Sequence, residues 1–149
     1  MDDTARLVVI AFALSGSALG AFAWRLVAID PAQAQRLIGE LRLAQWIAIL
    51  LAVTGGAWLG LAIRVGGEPL AGLDVTVSLG VVVVAAIALV SEPRQALGLL
   101  AGAFMAHALI DIAHRPGWLS PAIAPRWFVV GCSAYDVYIA ALCYWARRR

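Results

Sequence analysis

Carboxyl and imidazole side chains that could perform chemistry lie in two neighbouring apolar stretches of the sequence. His107, Asp111 and His114 stand at positions i, i+4 and i+7, and Asp136 lies in the next apolar stretch. On an α-helix the first three would lie within about 60° of one another, on a single face. An imidazole beside a carboxylate can donate or accept a proton near neutral pH, and both groups bind metal ions.

Two kinds of chemistry fit this pattern. His107, Asp111 and Asp136 are the candidate catalytic residues for metal-free acid–base work. His107, Asp111 and His114 are the candidate ligands of a divalent metal ion such as zinc, iron or manganese. Imidazoles at i and i+7 are about 10 Å apart along a helix axis, so one ion is expected to use Asp111 with one histidine. Haem is not expected, because ligation by two imidazoles needs histidines from different helices, and only one stretch contains any.

The composition indicates the medium in which these groups would work. Hydrophobic residues make up 63% of the 149 residues and charged residues 13%, whereas a soluble domain has about 45–50% and about 25%. A water-soluble fold of this size could not bury so much apolar surface. The sequence therefore predicts a single-domain, all-α, polytopic integral membrane protein. Five stretches are long enough to span a bilayer: 7–27, 43–63, 73–90, 96–112 and 127–145.

Helix-breaking and capping residues predict how these spans are connected. Asp30 and Pro31 are typical of a helix N-terminus, so a helix is expected to begin there and to lie at the interface or extend the second span. Pro93 and the charges around it predict a tight turn over 91–95 between the third and fourth spans.

The arginines are distributed unequally between the two ends of the predicted bundle. Seven lie at one end and four at the other, so the positive-inside rule places the N-terminus outside and the C-terminus in the cytoplasm. The membrane would then be a bacterial-type inner membrane. The larger set is Arg25, Arg36, Arg42, Arg94, Arg147, Arg148 and Arg149, and the smaller set is Arg6, Arg64, Arg115 and Arg126.

The residue types that are missing exclude several function classes. All 11 basic residues are arginine, so no lysine is present to form a Schiff base with retinal or pyridoxal phosphate, or to serve a Walker-type phosphate loop. The basic residues stand at the ends of spans and form no stripe or patch. A nucleic-acid partner is therefore not expected.

Depth along the helices predicts a contact between the fourth and fifth spans. His107 lies about 12 Å from Arg115 along its helix, and Asp136 lies about 15 Å from Arg126. The two helices follow one another across a single loop and are expected to be antiparallel neighbours. His107 and Asp136 are therefore expected to meet.

Further polar residues are expected nearer the outer surface, above that pair. Asp74, Asp111 and His114 would form a polar funnel open to the external side. Asp74, Trp58 and Tyr135 are the residues expected to contact a substrate there. For Trp58 the alternative of an interface anchor is favoured by its position near the end of the second span.

Small residues spaced four apart allow helices to approach closely in lipid. Three such pairs occur: Gly16 with Gly20, Gly56 with Gly60, and Gly98 with Gly102. We expect at least two of these faces to pack within one protomer, and a homo-oligomer formed through them is the alternative.

Charged groups within a span cost about 2.5–3.5 kcal/mol each, and those that occur are commonly functional. The sequence thus predicts a small membrane-embedded enzyme that uses the His/Asp site on a lipophilic small molecule. The alternatives are a proton-coupled transporter and an accessory or assembly subunit of a membrane complex.

Overall fold

The computed structural model describes residues 3–65, 67, 70–114, 118–119 and 122–149, and five α-helices account for most of them. All five are long and apolar enough to cross a membrane, which agrees with the predicted all-α architecture and with the five predicted spans. The helices are α1 (Asp3–Val27), α2 (Ala34–Arg64), α3 (Ala71–Val90), α4 (Pro93–Ala113) and α5 (Arg126–Arg148).

The predicted turn between α3 and α4 is present, although it is shorter than expected. Only Ser91 and Glu92 lie outside the two helices, because Pro93 is accommodated at the first helical position of α4. The Glu92 carboxylate accepts hydrogen bonds from the backbone N–H groups of Arg94, at 3.2 Å, and Gln95, at 3.1 Å. Residues 93–95 are therefore the first turn of α4 rather than part of the connection.

The prediction that a helix begins at Asp30 was wrong by several residues. The Asp30 carboxylate accepts a hydrogen bond from the backbone N–H of Ala32 at 2.9 Å, which forms a local turn that competes with helix capping. The helix begins at Ala34 and continues without a break through the second span to Arg64. The stretch before residue 43 therefore extends the second span.

The core of the bundle contains buried side chains from all five helices. Its fully buried side chains include Ile47 and Leu51 of α2, Leu97 and Phe104 of α4, and Ile139 of α5. Helix α1 packs only against α2 and α5 among the helices. The outward faces remain apolar and exposed, as a bilayer would require; examples are Leu7, Trp24, Val53, Ile63, Val90 and Leu109.

The small-residue pairs differ in what they face. A Cβ added at Gly16 or Gly20 would press on Tyr138 of α5, so this pair packs within the chain. Apart from the helix's own nearby atoms, nothing in the described part of the chain lies within 4 Å of a Cβ added at Gly56, Gly60 or Gly102. Oligomerisation through those positions stays a prediction.

A buried ion cluster, which the sequence reasoning missed, joins the helix ends at the arginine-rich end. Arg36 is 1% exposed, and its Nε donates to Glu40 Oε1 at 2.8 Å. Its guanidinium also donates to the backbone oxygens of Leu26, at 2.6 Å, and Ala146, at 3.4 Å. The other Glu40 oxygen accepts from Arg94 Nε at 3.3 Å. The cluster thereby connects the C-terminal ends of α1 and α5 to the first turns of α2 and α4.

Candidate functional site

A short contact joins α4 and α5 at the site that the sequence suggested. His107 Nδ1 lies 2.6 Å from Asp136 Oδ2, and both side chains are buried. The expected meeting of these residues is therefore observed. One turn away on α5, the Ser133 hydroxyl donates to the backbone oxygen of Ala108 at 3.2 Å, which keeps the two helices in register.

Asp111 lies one turn along α4 from His107, on the same face. Its Oδ1 is 3.7 Å from His107 Nδ1, which is beyond hydrogen-bond distance. The residue is 0% exposed, and within the described part of the chain neither carboxyl oxygen has a hydrogen-bond partner. An unpaired buried polar group is costly, so this carboxyl needs an explanation.

His107, Asp111 and Asp136 together have the geometry of a metal-ligand set. One ligand atom from each residue lies within 4.8 Å of the others, and all three side chains are buried. An imidazole nitrogen with two carboxylate oxygens suits zinc, iron or manganese, and three protein ligands leave a position open for substrate. We refer to these three residues as the His107 group.

His114 is directed away from the His107 group, towards α3. Its Nε2 lies 3.1 Å from Asp74 Oδ1, and its Nδ1 lies 2.9 Å from the backbone oxygen of Ile110. Both ring nitrogens therefore have oxygen partners. The third candidate ligand beside His107 and Asp111 is therefore Asp136 rather than His114. His114 and Asp74 form a second buried pair.

Trp58 of α2 lies between the two imidazoles. Its ring centroid is 5.8 Å from that of His107 and 5.2 Å from that of His114. The side chain is only 4% exposed, so the favoured interpretation of Trp58 as an interface anchor was wrong. Sequence position alone could not show that this tryptophan faces the bundle. Its indole N–H has no partner among the described residues.

Tyr135 lies outside this cluster, although it is adjacent to Asp136 in the sequence. Its hydroxyl is 2.7 Å from the Ser15 hydroxyl, and its ring stacks on Phe12 with centroids 4.6 Å apart. Tyr135 therefore faces α1. A role in substrate binding stays a prediction for this residue.

The expected open funnel is not what the structure shows. Asp74, His107, Asp111, His114 and Asp136 are each at most 4% exposed. His107 pairs with Asp136 and His114 pairs with Asp74, and both imidazoles pack against Trp58, so the polar side chains form a closed cluster in which only the Asp111 carboxyl has no hydrogen-bond partner among the described residues. Access to the His107 group would require a rearrangement of the surrounding side chains or helices.

The sequence reasoning gave no role to Cys132, which lies one turn before Asp136 on α5 and is also buried. The i, i+4 spacing between Cys132 and Asp136 could have shown from the sequence that the two residues share one face of a helix.

Comparison with known proteins adds no further assignment: no family model, curated protein or solved structure matches this chain.

Proposed function

We propose that the chain is an integral membrane protein of a bacterial-type inner membrane and that it spans the bilayer five times. The support is the set of five apolar helices with exposed apolar outer faces. The arginine-rich end would lie in the cytoplasm by the positive-inside rule. The His107 group would then lie in the external half of the membrane.

We further propose that the protein is an enzyme that holds a divalent metal ion at the His107 group and acts on a lipophilic substrate. The observation that carries the metal is Asp111, whose buried carboxyl oxygens have no partner in the described residues. A cation between Asp111, His107 and Asp136 would compensate the buried carboxylates. When bound, the ion would supply Lewis-acid chemistry to a substrate group at its open position.

The remaining polar residues would orient the site rather than bind the ion. Asp74 fixes His114, and Trp58 packs on both imidazoles, so these side chains would shape the space beside the ion. The site is enclosed by lipid-facing helices, which favours a substrate that arrives through the bilayer. Trp58 and Asp74 are our candidates for substrate contact.

A proton-coupled transporter is the less favoured candidate because an apolar layer separates the two ends of the bundle. On α4 the buried residues between Arg94 and His107 are Ala96, Leu97, Leu100 and Phe104. This layer lies within the stretch of helix, about 20 Å long, that separates Arg94 from His107. Polar contacts do not continue through it in the described residues, whereas a proton path would need them.

The two His–Asp pairs, which join helices, would equally suit an accessory subunit.

The metal proposal is tested by elemental analysis of the purified protein after loading with zinc, manganese or ferrous iron in turn. We expect a single bound ion in the unaltered protein and at least about a tenfold loss of affinity in Asp111→Asn. Asp74→Asn is the matched control, since it alters an equally buried carboxyl of the other pair and should keep the ion. Absence of a stoichiometric ion, or equal loss in both variants, would contradict the proposal.

The catalytic proposal needs its own measurement. Metal-loaded protein in nanodiscs is incubated with a total bacterial lipid extract, and the lipids are compared by mass spectrometry before and after. We expect at least one lipid class to be converted by the unaltered protein and by Asp30→Asn, an exposed control, but not by Asp111→Asn. A metal ion bound with no conversion would instead indicate a binding or accessory protein.

A further inference from the structure

A long groove runs between α1 and α2 on the outside of the bundle. Its volume is about 570 Å³, and its walls are apolar side chains, with Arg42 at one end. It exists because α1 packs mainly on α5 and makes fewer contacts with α2. Representative lining residues are Ala18, Leu19 and Phe22 of α1 and Trp46, Ile49 and Val53 of α2.

A second cavity continues the groove towards the arginine-rich end. It has a volume of about 350 Å³, shares Phe22 and Arg42 with the first, and adds Arg25 and Gln35 to the lining. Arg25 and Arg42 are exposed, and neither has an ion pair or hydrogen bond to a side chain of the described residues. By contrast, Arg36 and Arg94 nearby both bind Glu40. Two cations that have no counter-ion among the described side chains therefore lie at the mouth of an apolar groove.

The length of the groove matches one leaflet of a membrane. Ser15, the lining residue of α1 that is farthest from the mouth, is ten residues from Arg25, which is about 15 Å of helix. The hydrocarbon core of a bilayer is about 30 Å thick, so this distance is half of it. Trp24 beside the mouth is largely exposed, as interface tryptophans are.

We propose that this groove binds an anionic phospholipid. The phosphate lies against Arg25 and Arg42, with Gln35 as a further donor, and one acyl chain lies between α1 and α2 towards Ser15. A membrane leaflet rich in anionic lipid is the one that attracts basic residues, and the positive-inside rule places the same end of the bundle in it. The inference rests on the proposed membrane insertion but not on the metal site.

The test is native mass spectrometry of the full chain, purified in detergent and incubated with either phosphatidylglycerol or phosphatidylcholine. We expect one retained phosphatidylglycerol per chain and weak retention of phosphatidylcholine. Arg25→Gln with Arg42→Gln should weaken phosphatidylglycerol binding about 30-fold, since each basic residue near the surface contributes about fivefold. Arg64→Gln with Arg126→Gln is the control, because it removes the same charge from the opposite end.

A second pair of variants tests the groove rather than the charge. Ala18→Trp would fill the groove and should abolish retention although both arginines remain, whereas Ala21→Trp, also exposed on α1 but outside the lining, should not. Equal retention of the two lipids, or equal retention by the arginine pairs, would overturn the inference. Asp111→Asn should retain lipid normally, so failure of the metal proposal can be recognised separately.

Discussion

At the level of single residues, the contact between His107 and Asp136 can be tested by whether it couples α4 to α5. We expect His107→Ala and Asp136→Ala each to lower the free energy of unfolding, and the double variant to lose less than the sum. Interhelical hydrogen bonds in membrane proteins contribute about 0.6 kcal/mol on average and up to about 1.7 kcal/mol, so the coupling should lie in this range. The measurement is a double-mutant cycle of unfolding in detergent with a chelator present.

The control for that cycle is His107 with Asp74. Asp74 bonds to His114 rather than to His107, so these two substitutions should have additive effects. Strict additivity of His107 and Asp136 would contradict the contact and remove the basis of the His107 group.

The sequence could predict part of this site and not the rest. Rise per residue places His107 and Asp136 at one depth, and the short connection makes their helices neighbours. The sequence does not show how α4 is rotated about its axis relative to α3. That rotation directs His114 towards Asp74. The same limit applies to Trp58, whose direction depends on how α2 packs.

At the level of elements, the ion cluster at the arginine-rich end should hold α1, α2 and α5 together. Glu40→Gln would leave the Arg36 guanidinium buried without a counter-ion, so we expect a loss of about 3–5 kcal/mol in the free energy of unfolding. Replacing both partners, with Arg36→Met and Glu40→Leu, should cost less than Glu40→Gln alone because no buried charge remains. The free energies of unfolding of both variants can be measured by titration with a denaturing detergent.

Arg94→Gln is the control for this cluster. The Arg94 side chain is 49% exposed, so its ion pair with Glu40 is solvated and should contribute less than about 1 kcal/mol. If Arg94→Gln lowers the free energy of unfolding as much as Glu40→Gln does, the ion pair of Glu40 with Arg94, rather than the one with Arg36, would account for the loss of stability.

Adjacent glycines on α2 offer a matched test of helix packing. A Cβ at Gly55 would lie 3.0 Å from Val81 and Val82 and 3.2 Å from the Ser78 backbone oxygen, whereas one at Gly56 would contact no other described helix within 4 Å. Alanine gains about 1 kcal/mol of helix propensity at either position. Overpacking costs about 1–3 kcal/mol, so Gly55→Ala should destabilise and Gly56→Ala should stabilise. Equal effects in thermal unfolding would contradict the close approach of α2 and α3.

At the level of the whole molecule, composition and segment length were sufficient to predict five helices. They could not show that α1 packs against α2 and α5 but not against α3 or α4. They also could not show the Arg36 cluster, since an arginine at the end of a span normally reaches water. Both features depend on how helices distant in the sequence pack.

The orientation of the whole chain is the remaining prediction, and the chain's own cysteines make it testable. Cys132 and Cys143 are buried, so they should react little with a membrane-impermeant maleimide in intact cells. Trp118→Cys, at an exposed position of the α4–α5 connection, should be labelled from outside. Ala32→Cys, exposed at the arginine-rich end, should be labelled only after permeabilisation. The reverse pattern would place the His107 group in the cytoplasmic half of the bilayer, and it would move the Arg25 and Arg42 groove away from the leaflet that attracts basic residues.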